Sequence, residues 1–443
     1  MTAGDVARPH VEDATDALVD GDQALAPGGA RAALRHRDFR VVWGGTFASN
    51  VGTWMQNVLL GAYGYELTHS ASYVGILFFA QLGPLLFLAT PGGVLADLVD
   101  RRKLLIWMQI EQLAFSVVLA VLVAMPHPSR SGIVACVLVI GVGNALAAPA
   151  LSAILPTLVP RQDLTGAVSL QSVQMNLSRV IGPAIGAPIY ARTGAGVVFA
   201  INAGTYLFAV AGLLVARYES QAEAAIEERG IARLLSGFRI AAADPLVRRI
   251  LVCITSFSFF SLTFVGLMPA IADHDFGIGP KTVQYGLLYA GFGLGAALGA
   301  VTVGTILVRR SKTRSARIGL VSFAVLLAAF ALVRSPAPAY PAALVLGFAY
   351  FVVITALSTV LQEHLRDEVR GRIMALWVMA FGGTVPLGVL AGGYAVKVTS
   401  LTVVLLVGAA VALLLAAYTD LSGLTSGSTA SGGGGLSGGS RPE

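Results

Sequence analysis

Residues 73–124 read YVGILFFAQLGPLLFLATPGGVLADLVDRRKLLIWMQIEQLAFSVVLAVLVA. Two apolar runs, each near the roughly twenty residues that cross a bilayer, flank a tight turn. The turn holds Asp97 and Asp100, then Arg101, Arg102 and Lys103. Hydrocarbon offers backbone N–H and C=O groups no partner, so runs of this kind are helices. They do not alternate polar and apolar residues, as membrane barrel strands do.

Similar runs fall at 41–65, 132–157, 165–191, 196–216, 249–272, 283–307, 316–333, 341–362, 373–396 and 401–418. With 73–96 and 104–124 they predict an all-α polytopic protein of about twelve transmembrane helices. Composition agrees. Of 443 residues, 56% are hydrophobic and 12% charged, against roughly 25% charged in soluble domains. Lipid is therefore the solvent of most of the surface. The net charge of +6 does not indicate nucleic-acid binding, because the basic residues sit in short clusters between apolar runs. Cys136 and Cys253 lie within such runs and read as buried free thiols.

Those clusters orient the chain. Arg35, Arg37 and Arg40, then Arg101 to Lys103, Arg161, Arg229 to Arg249, Arg309 to Arg314 and Arg366 to Arg372 share one set of connections. The other set holds only Arg130, Arg192, Lys281, Arg334 and Lys397. The positive-inside rule puts the first set, and both termini, in the cytoplasm of an inner-membrane protein. Residues 1–34 and the Gly/Ser-rich 421–443 read as disordered tails. Between them the expected order is a six-helix bundle over 35–217, a linker over 218–248 and a second bundle over 249–420. In the linker Ile231, Leu234, Leu235 and Phe238 follow helical spacing, which predicts a short amphipathic helix on the inner leaflet. The halves echo each other. LVPRQDLTGAVSLQ after the fourth run answers HLRDEVRGRIMALW after the tenth, each with a Gly/Pro break further on.

No GxxxxGK[ST] phosphate loop, HExxH pair, GxSxG elbow or CxxC occurs. No soluble segment is large enough for a catalytic domain. No cofactor, metal or enzymatic reaction is expected, and movement of a small-molecule substrate remains. Gly291, Gly295 and Gly299 are four apart and give one flat helix face for close packing.

The stretch Gly92-Gly93-Val94-Leu95-Ala96-Asp97-Leu98-Val99-Asp100-Arg101-Arg102 resembles the G-x-L-A-D-R-x-G-R-R/K signature of the major facilitator superfamily. Leu98 and Asp100 depart from it. With Asn50-Val51-Gly52-Thr53-Trp54-Met55-Gln56 and Asn176-Leu177-Ser178-Arg179-Val180-Ile181-Gly182-Pro183, the spelling looks like the siderophore-exporting branch. The resemblance implies a major facilitator fold of two six-helix halves, a monomer, and an antiporting exporter working by alternating access. Gly182-Pro183-x-x-Gly186 resembles that superfamily's antiporter motif, although Ser178 and Ala187 stand where glycines belong.

Chemistry points to particular residues. Arg179 is the one arginine deep in an apolar run. It costs about 2.5–3.5 kcal/mol at the bilayer centre on insertion scales, so it faces a hydrated interior. It stays protonated and can bind an anionic group, or pair with a carboxylate. Ser172, Asn176 and Pro183 share its helical face. Asn50, Trp54 and Asn57 share a face of the first helix, Asn144 adds an amide on the fourth, and Ser256, Phe260 and Thr263 repeat the spacing on the seventh. Asn50, Trp54, Asn57, Asn144, Asn176 and Arg179 are the candidate substrate contacts. Glu111 is the candidate proton carrier. Glu66, Asp273 and Glu363 lie near helix ends and read as interfacial. Gly93, Asp97, Arg101, Arg102, Arg370 and Arg372 form a candidate gate, in which Asp97 latches the eleventh helix where Gly371 begins it. Gly182, Pro183 and Gly186 are packing and hinge positions. The expected cargo is a small amphipathic or anionic organic molecule, siderophore or drug-like, driven by protons. The rival readings are a lipid or lysophospholipid flippase on the same fold, and a non-transporting scaffold or sensor.

Overall fold

The computed structural model of the chain describes residues 29–217, 231–307 and 311–419. Of the tails expected to be disordered, 1–28 and 421–443 lie outside them, as do Arg229, Arg309 and Arg310, whereas within 29–34 the residues Ala30–Ala33 form a short helix with Ala32 and Ala33 buried. Every regular element among the described residues is helical. Twelve long helices run in order: α1 (Arg37–Thr68), α2 (Ala71–Leu98), α3 (Arg101–Ala124), α4 (Arg130–Leu158), α5 (Leu164–Thr193), α6 (Ala195–Val215), α7 (Pro245–His274), α8 (Val283–Thr305), α9 (Lys312–Leu332), α10 (Pro336–His364), α11 (Val369–Ala395) and α12 (Leu401–Tyr418).

Ten of these are long and apolar enough to span a membrane on composition alone. The two that fall short are α1 and α5, at 32 and 30 residues the longest in the first half. Their deficit has a cause: α1 carries Thr46, Asn50, Gln56 and Asn57, and α5 carries Gln171, Gln174, Asn176 and Arg179. Helices that turn polar groups inward lose hydropathy without losing the ability to span.

The packing pattern repeats with a shift of six helices. Contacts of α2 with α4, α3 with α4 and α3 with α6 recur as α8 with α10, α9 with α10 and α9 with α12. The sequence echo has a structural counterpart on the face that carries the basic loops. His36 precedes α1, and its Nε2 lies 2.8 Å from Asp163 Oδ2 at the start of α5. In the second half Asp244 caps α7, and its Oδ2 lies 2.7 Å from His364 Nε2 at the end of α10. Each half thus ties the start of its first helix to the connection between its fourth and fifth.

The halves meet along two seams, α2 against α11 and α5 against α8, related by the same shift. Small residues make them. A Cβ on Gly393 would lie 2.6 Å from the Ala71 carbonyl oxygen, one on Gly75 3.0 Å from Leu390 Cα, and one on Gly286 2.1 Å from Ala187 Cβ. All three lie toward the face opposite the basic loops. There Lys281 Nζ also stands 4.0 Å from Glu66 Oε1, an exposed pair of small energetic weight. Toward the basic face the seams part. The first half of α11 packs on the linker helix, and a Cβ on Gly93 would meet nothing within 4 Å. Among the described residues, the close glycine contacts between the halves at Gly75, Gly286 and Gly393 lie on the side away from the basic loops.

Two expectations change. The linker helix, Ile231–Ala243, forms as read, but it is docked: Arg372 Nη1 donates to Ser236 Oγ at 3.3 Å, and Gly237 sits against the Arg372 carbonyl. On α7 the residues Phe257–Ser261 form a π-helical turn, which adds a residue to the turn and rotates the remainder of the helix. Ser256, Phe260 and Thr263 therefore do not share a face. Phe260 is exposed and packs on Phe259, while Thr263 is buried and donates to the Phe259 carbonyl.

The flat face on α8 is used for close approach. A Cβ on Gly295 would fall 1.8 Å from the Leu344 carbonyl oxygen of α10, and one on Gly299 2.4 Å from that of Phe348. Gly291 is looser, 4.0 Å from the Tyr340 oxygen. Gly295→Ala should overpack this crossing by about 1–3 kcal/mol and lower the thermal midpoint in detergent. Gly44→Ala, where nothing lies within 4 Å, should be neutral or stabilise by up to about 1 kcal/mol through helix propensity. Equal effects at the two sites would refute this account of the seam.

Burial alone would push the Asp244 carboxyl up. Its hydrogen bonds from His364 and from the Val247 and Leu246 N–H groups outweigh that and hold it below its ordinary 3.8. A carboxyl depressed in the folded state contributes stability above its ordinary value and loses it as pH falls through the folded one. Asp244→Asn should therefore lower the thermal midpoint at pH 7, with the gap to wild type closing below pH 3.8. A deficit that stays constant down to that pH would contradict the assignment.

Candidate functional site

Where the α5–α8 seam ends at mid-depth stands Arg179. Gly182 decides what its neighbour is. A Cβ there would lie 2.7 Å from Met55 N and 3.0 Å from Trp54 Cβ, so only glycine lets α1 and α5 come this close. Gly186 continues the approach against Met55, and the Pro183 carbonyl faces Gly286 of α8. Trp54 is thereby brought alongside Arg179, whose Cζ is 4.8 Å from the indole centroid. From the other half, the Phe351 ring of α10 lies 5.3 Å from the same carbon. Tyr289 and Tyr350 are also within electrostatic range of the guanidinium. Behind them Phe292 stacks on Tyr350 at 5.8 Å. One cation is thus held between an aromatic ring of each half. Such contacts contribute about 0.5–2 kcal/mol each, more as water is excluded.

Among the described residues no carboxylate forms an ion pair with Arg179, and its buried Nε has no hydrogen-bond partner. The structural ion pair left open by the sequence is not found among them. Among the described residues the guanidinium keeps unused donors and an uncompensated charge, which suits an anionic group.

The other sequence candidates divide into groups. Asn57 and Gln81 hydrogen-bond to each other and join α1 to α2. Asn176 donates to the carbonyl of Ser172 in its own helix at 2.9 Å. Asn50 and Asn144 line a separate cavity of about 220 Å³ inside the first half, together with Gln109, Gln112, Gln171 and Gln174. Sequence reasoning misses these four glutamines, although the i, i+3 pairs Gln109/Gln112 and Gln171/Gln174 stand in otherwise apolar stretches. At the cavity's inner end Tyr206 is buried, with its hydroxyl near Thr53 and Asn202 at 3.4 Å each. Asn202 donates in turn to Gln56 at 2.9 Å.

Glu111 lies outside both sites, on the side of α3 that packs on α4. Both its carboxylate oxygens are buried without a partner, and Gly143 leaves the room they occupy: a Cβ there would fall 1.9 Å from Oε2. Glu66 accepts from the Tyr190 hydroxyl. Ser178, where the antiporter pattern has glycine, is fully buried with its hydroxyl unpartnered.

In the gating stretch the side chain of Asp97 lies outside the described residues. Asp100, a departure from the signature, caps α3 by accepting from Lys103 N at 3.0 Å. Arg101 is buried and donates to the Ala96 carbonyl, and Arg102 Nη2 donates to the Leu214 carbonyl at the end of α6, 2.7 Å away. Arg370 donates to the Leu365 carbonyl at 3.4 Å.

Known proteins match this architecture. The sequence family described as transmembrane secretion effector, a branch of the major facilitator superfamily, matches residues 28–426. The enterobactin exporter EntS of Escherichia coli O1:K1 is 30% identical over 355 residues, 77% of this chain and 81% of that protein. The protein of the same name from Escherichia coli strain SMS-3-5 is 29% identical over 354 residues, with the same coverage. Among solved structures, the nucleoside transporter NupG superposes with a TM-score of 0.67 at 13% identity, covering 86% of this chain and 98% of that one. A bacterial homologue of ferroportin described as inward-facing gives 0.68 at 13%, with the same coverage. At these identities the solved structures speak for the fold alone. The chain is a multi-pass membrane protein and belongs to the transmembrane secretion effector family of the major facilitator superfamily.

Proposed function

We propose that this protein is a proton-coupled exporter of a small amphipathic or anionic organic molecule, moving it by alternating access across the inner membrane. The observation that carries the reading is Arg179, an unpaired cation held at mid-depth between Trp54 of one half and Phe351 of the other. An anion entering from the basic side would complete the charge. It would also contact both halves at once, and a ligand that binds two conformations differently shifts the balance between them. The enterobactin exporters among the relatives favour export, and a siderophore as one cargo. The clustering of arginine and lysine on one face supports a cytoplasmic orientation for it and for both termini.

Glu111 is proposed as the proton-carrying group, because it is a carboxyl group at membrane depth with no partner. In everted vesicles with an acidic lumen, enterobactin should accumulate. Arg179→Ala should cut the initial rate at least tenfold and Arg179→Lys less. Glu111→Gln should leave a rate that no longer responds when the pH gradient is collapsed. Wild-type rates in Arg179→Ala at equal expression would sink the reading. Transport of lysophospholipid that ignores the gradient would favour the flippase instead.

The latch is proposed for the state closed on the basic side. In it, Asp97 meets the Gly371 end of α11, and it leaves that end when the basic side opens. Asp97→Asn should slow transport several-fold while leaving expression and topology unchanged, and should raise the reactivity of a cysteine at Gly93 toward reagents applied from the basic side. Unaltered rate and reactivity would remove the latch.

A further inference from the structure

The cavity inside the first half is built from groups that a purely structural pocket does not need. Its polar walls combine six carboxamides from α1, α3, α4 and α5 with the hydroxyls of Thr46, Ser49, Thr53, Ser152 and Tyr206, and no charged side chain lines it. Some of these amides are engaged: Gln174 donates to Thr46 at 3.1 Å, and Gln112 to the Met108 carbonyl at 3.2 Å. Others are open. Gln109 Oε1 is buried with no partner, and Asn50, Asn144 and Gln171 make no side-chain hydrogen bond among the described residues. Buried polar groups in native proteins are satisfied by protein, water or ligand, so Gln109 Oε1 calls for an occupant, and the exposed Asn144 with the half-buried Asn50 and Gln171 offers it further amide groups.

The rest of the lining says what kind. Trp43, Leu105, Leu151 and Leu155 give flat apolar walls, and Trp43 is fixed in place by stacking on Phe47 at 5.3 Å and by donating to the Leu170 carbonyl at 3.1 Å. A carboxamide offers an N–H donor beside a C=O acceptor, the complement of another amide. An ionised group would meet no counter-charge among the lining residues. The volume of about 220 Å³ is below the roughly 300–1,000 Å³ of drug-sized sites, which fits one ring and one amide.

Position links the cavity to Arg179. Asn50 is one turn from Trp54, and Met175, also on the lining, is one turn from Arg179. At 1.5 Å rise per residue the cavity therefore begins about 6 Å from the cation and, at Gln171, reaches about 12 Å from it. Asn144, Ala148 and Ser152 are exposed at successive turns of α4 and form its mouth.

We infer that this pocket is a second subsite that receives an uncharged aryl amide arm of the substrate, while Arg179 holds an anionic group of the same molecule. The inference deepens the transport reading and rests on it for the anion half alone. The test uses the purified full-length protein in nanodiscs and calorimetric titration with three probes: benzamide, benzoate, and 4-benzamidobutyrate, in which a three-carbon spacer joins the two groups. Benzamide should bind wild type and Arg179→Gln within twofold of each other, and at least tenfold more weakly to the Asn144→Leu/Gln171→Leu variant. Benzoate should show the reverse dependence. The joined probe should bind wild type at least tenfold more tightly than benzamide and lose that advantage in either variant. Gln109→Met, which keeps the side chain's shape, guards against misfolding. With wild-type thermal stability, it too should weaken benzamide. Benzamide affinity unchanged in both pocket variants, or no benzamide binding up to about 10 mM, overturns the subsite. Benzoate binding indifferent to Arg179→Gln overturns the anion reading and leaves the pocket standing.

Discussion

A guanidinium at mid-depth must be solvated by something other than lipid, and much of this architecture follows from how that is met. Arg179 is surrounded by rings rather than carboxylates. Aromatic faces attract a cation without neutralising it, so the charge remains available. Holding the rings there requires helices closer than ordinary side chains allow. Gly182 brings α1 against α5, while Gly295 and Gly347 bring α8 against α10. The glycines and the cation belong to one design: the first set the distances at which the second is tolerable.

The same seams make the molecule two bodies rather than one. Within each half, helices interlock on the basic face through a histidine–aspartate tie, His36 with Asp163 and Asp244 with His364. Between halves the tight contacts are made by small residues, with backbone at Gly75 and Gly393 and with the Ala187 methyl at Gly286. Such surfaces have few interdigitating side chains to extract, so they can separate and re-form at low cost. The ties keep each half internally fixed while that happens. A rigid-body rocking motion is the transition such an interface permits.

Much of this is legible in the chain alone. The helices follow from uninterrupted apolar runs, because burial in lipid leaves the backbone no alternative. Arg179 stands out because one arginine in such a run is costly enough to need a reason. The echo between residues 158–171 and 364–377 reveals the repeat, and it contains one member of each histidine–aspartate tie. Other features are illegible for definite reasons. The π turn at Phe257–Ser261 has no sequence signature that spacing could detect, so a face drawn on α7 with 3.6-residue periodicity fails beyond it. Asn57 and Asn50 look alike in sequence, and only the partner on α2, Gln81, engages one and leaves the other open. Gln109, Gln112, Gln171 and Gln174 escape notice because each is unremarkable alone. Their significance comes from α3 and α5 presenting them to one volume, and helix packing rather than sequence decides that.

The arrangement also bears on how a proton could drive transport. Glu111 is not among the residues around Arg179, nor does it line the carboxamide pocket. It faces α4 at Gly143, and it lies within electrostatic range of Tyr206. Tyr206 closes the inner end of the carboxamide pocket and shares hydrogen bonds with Asn202, which reaches Gln56 on α1. Next to Gln56 in sequence is Met55, the residue against which Gly182 and Gly186 pack. A change of charge at Glu111 would therefore be felt, through its field at Tyr206 and the hydrogen bonds beyond it, at the helix that carries Trp54. Coupling by that route would act on the position of α1 rather than on the substrate directly. It would let one ligand-binding surface stay uncharged at its neutral end and cationic at the other through the whole cycle, with the proton changing only which way the halves lean.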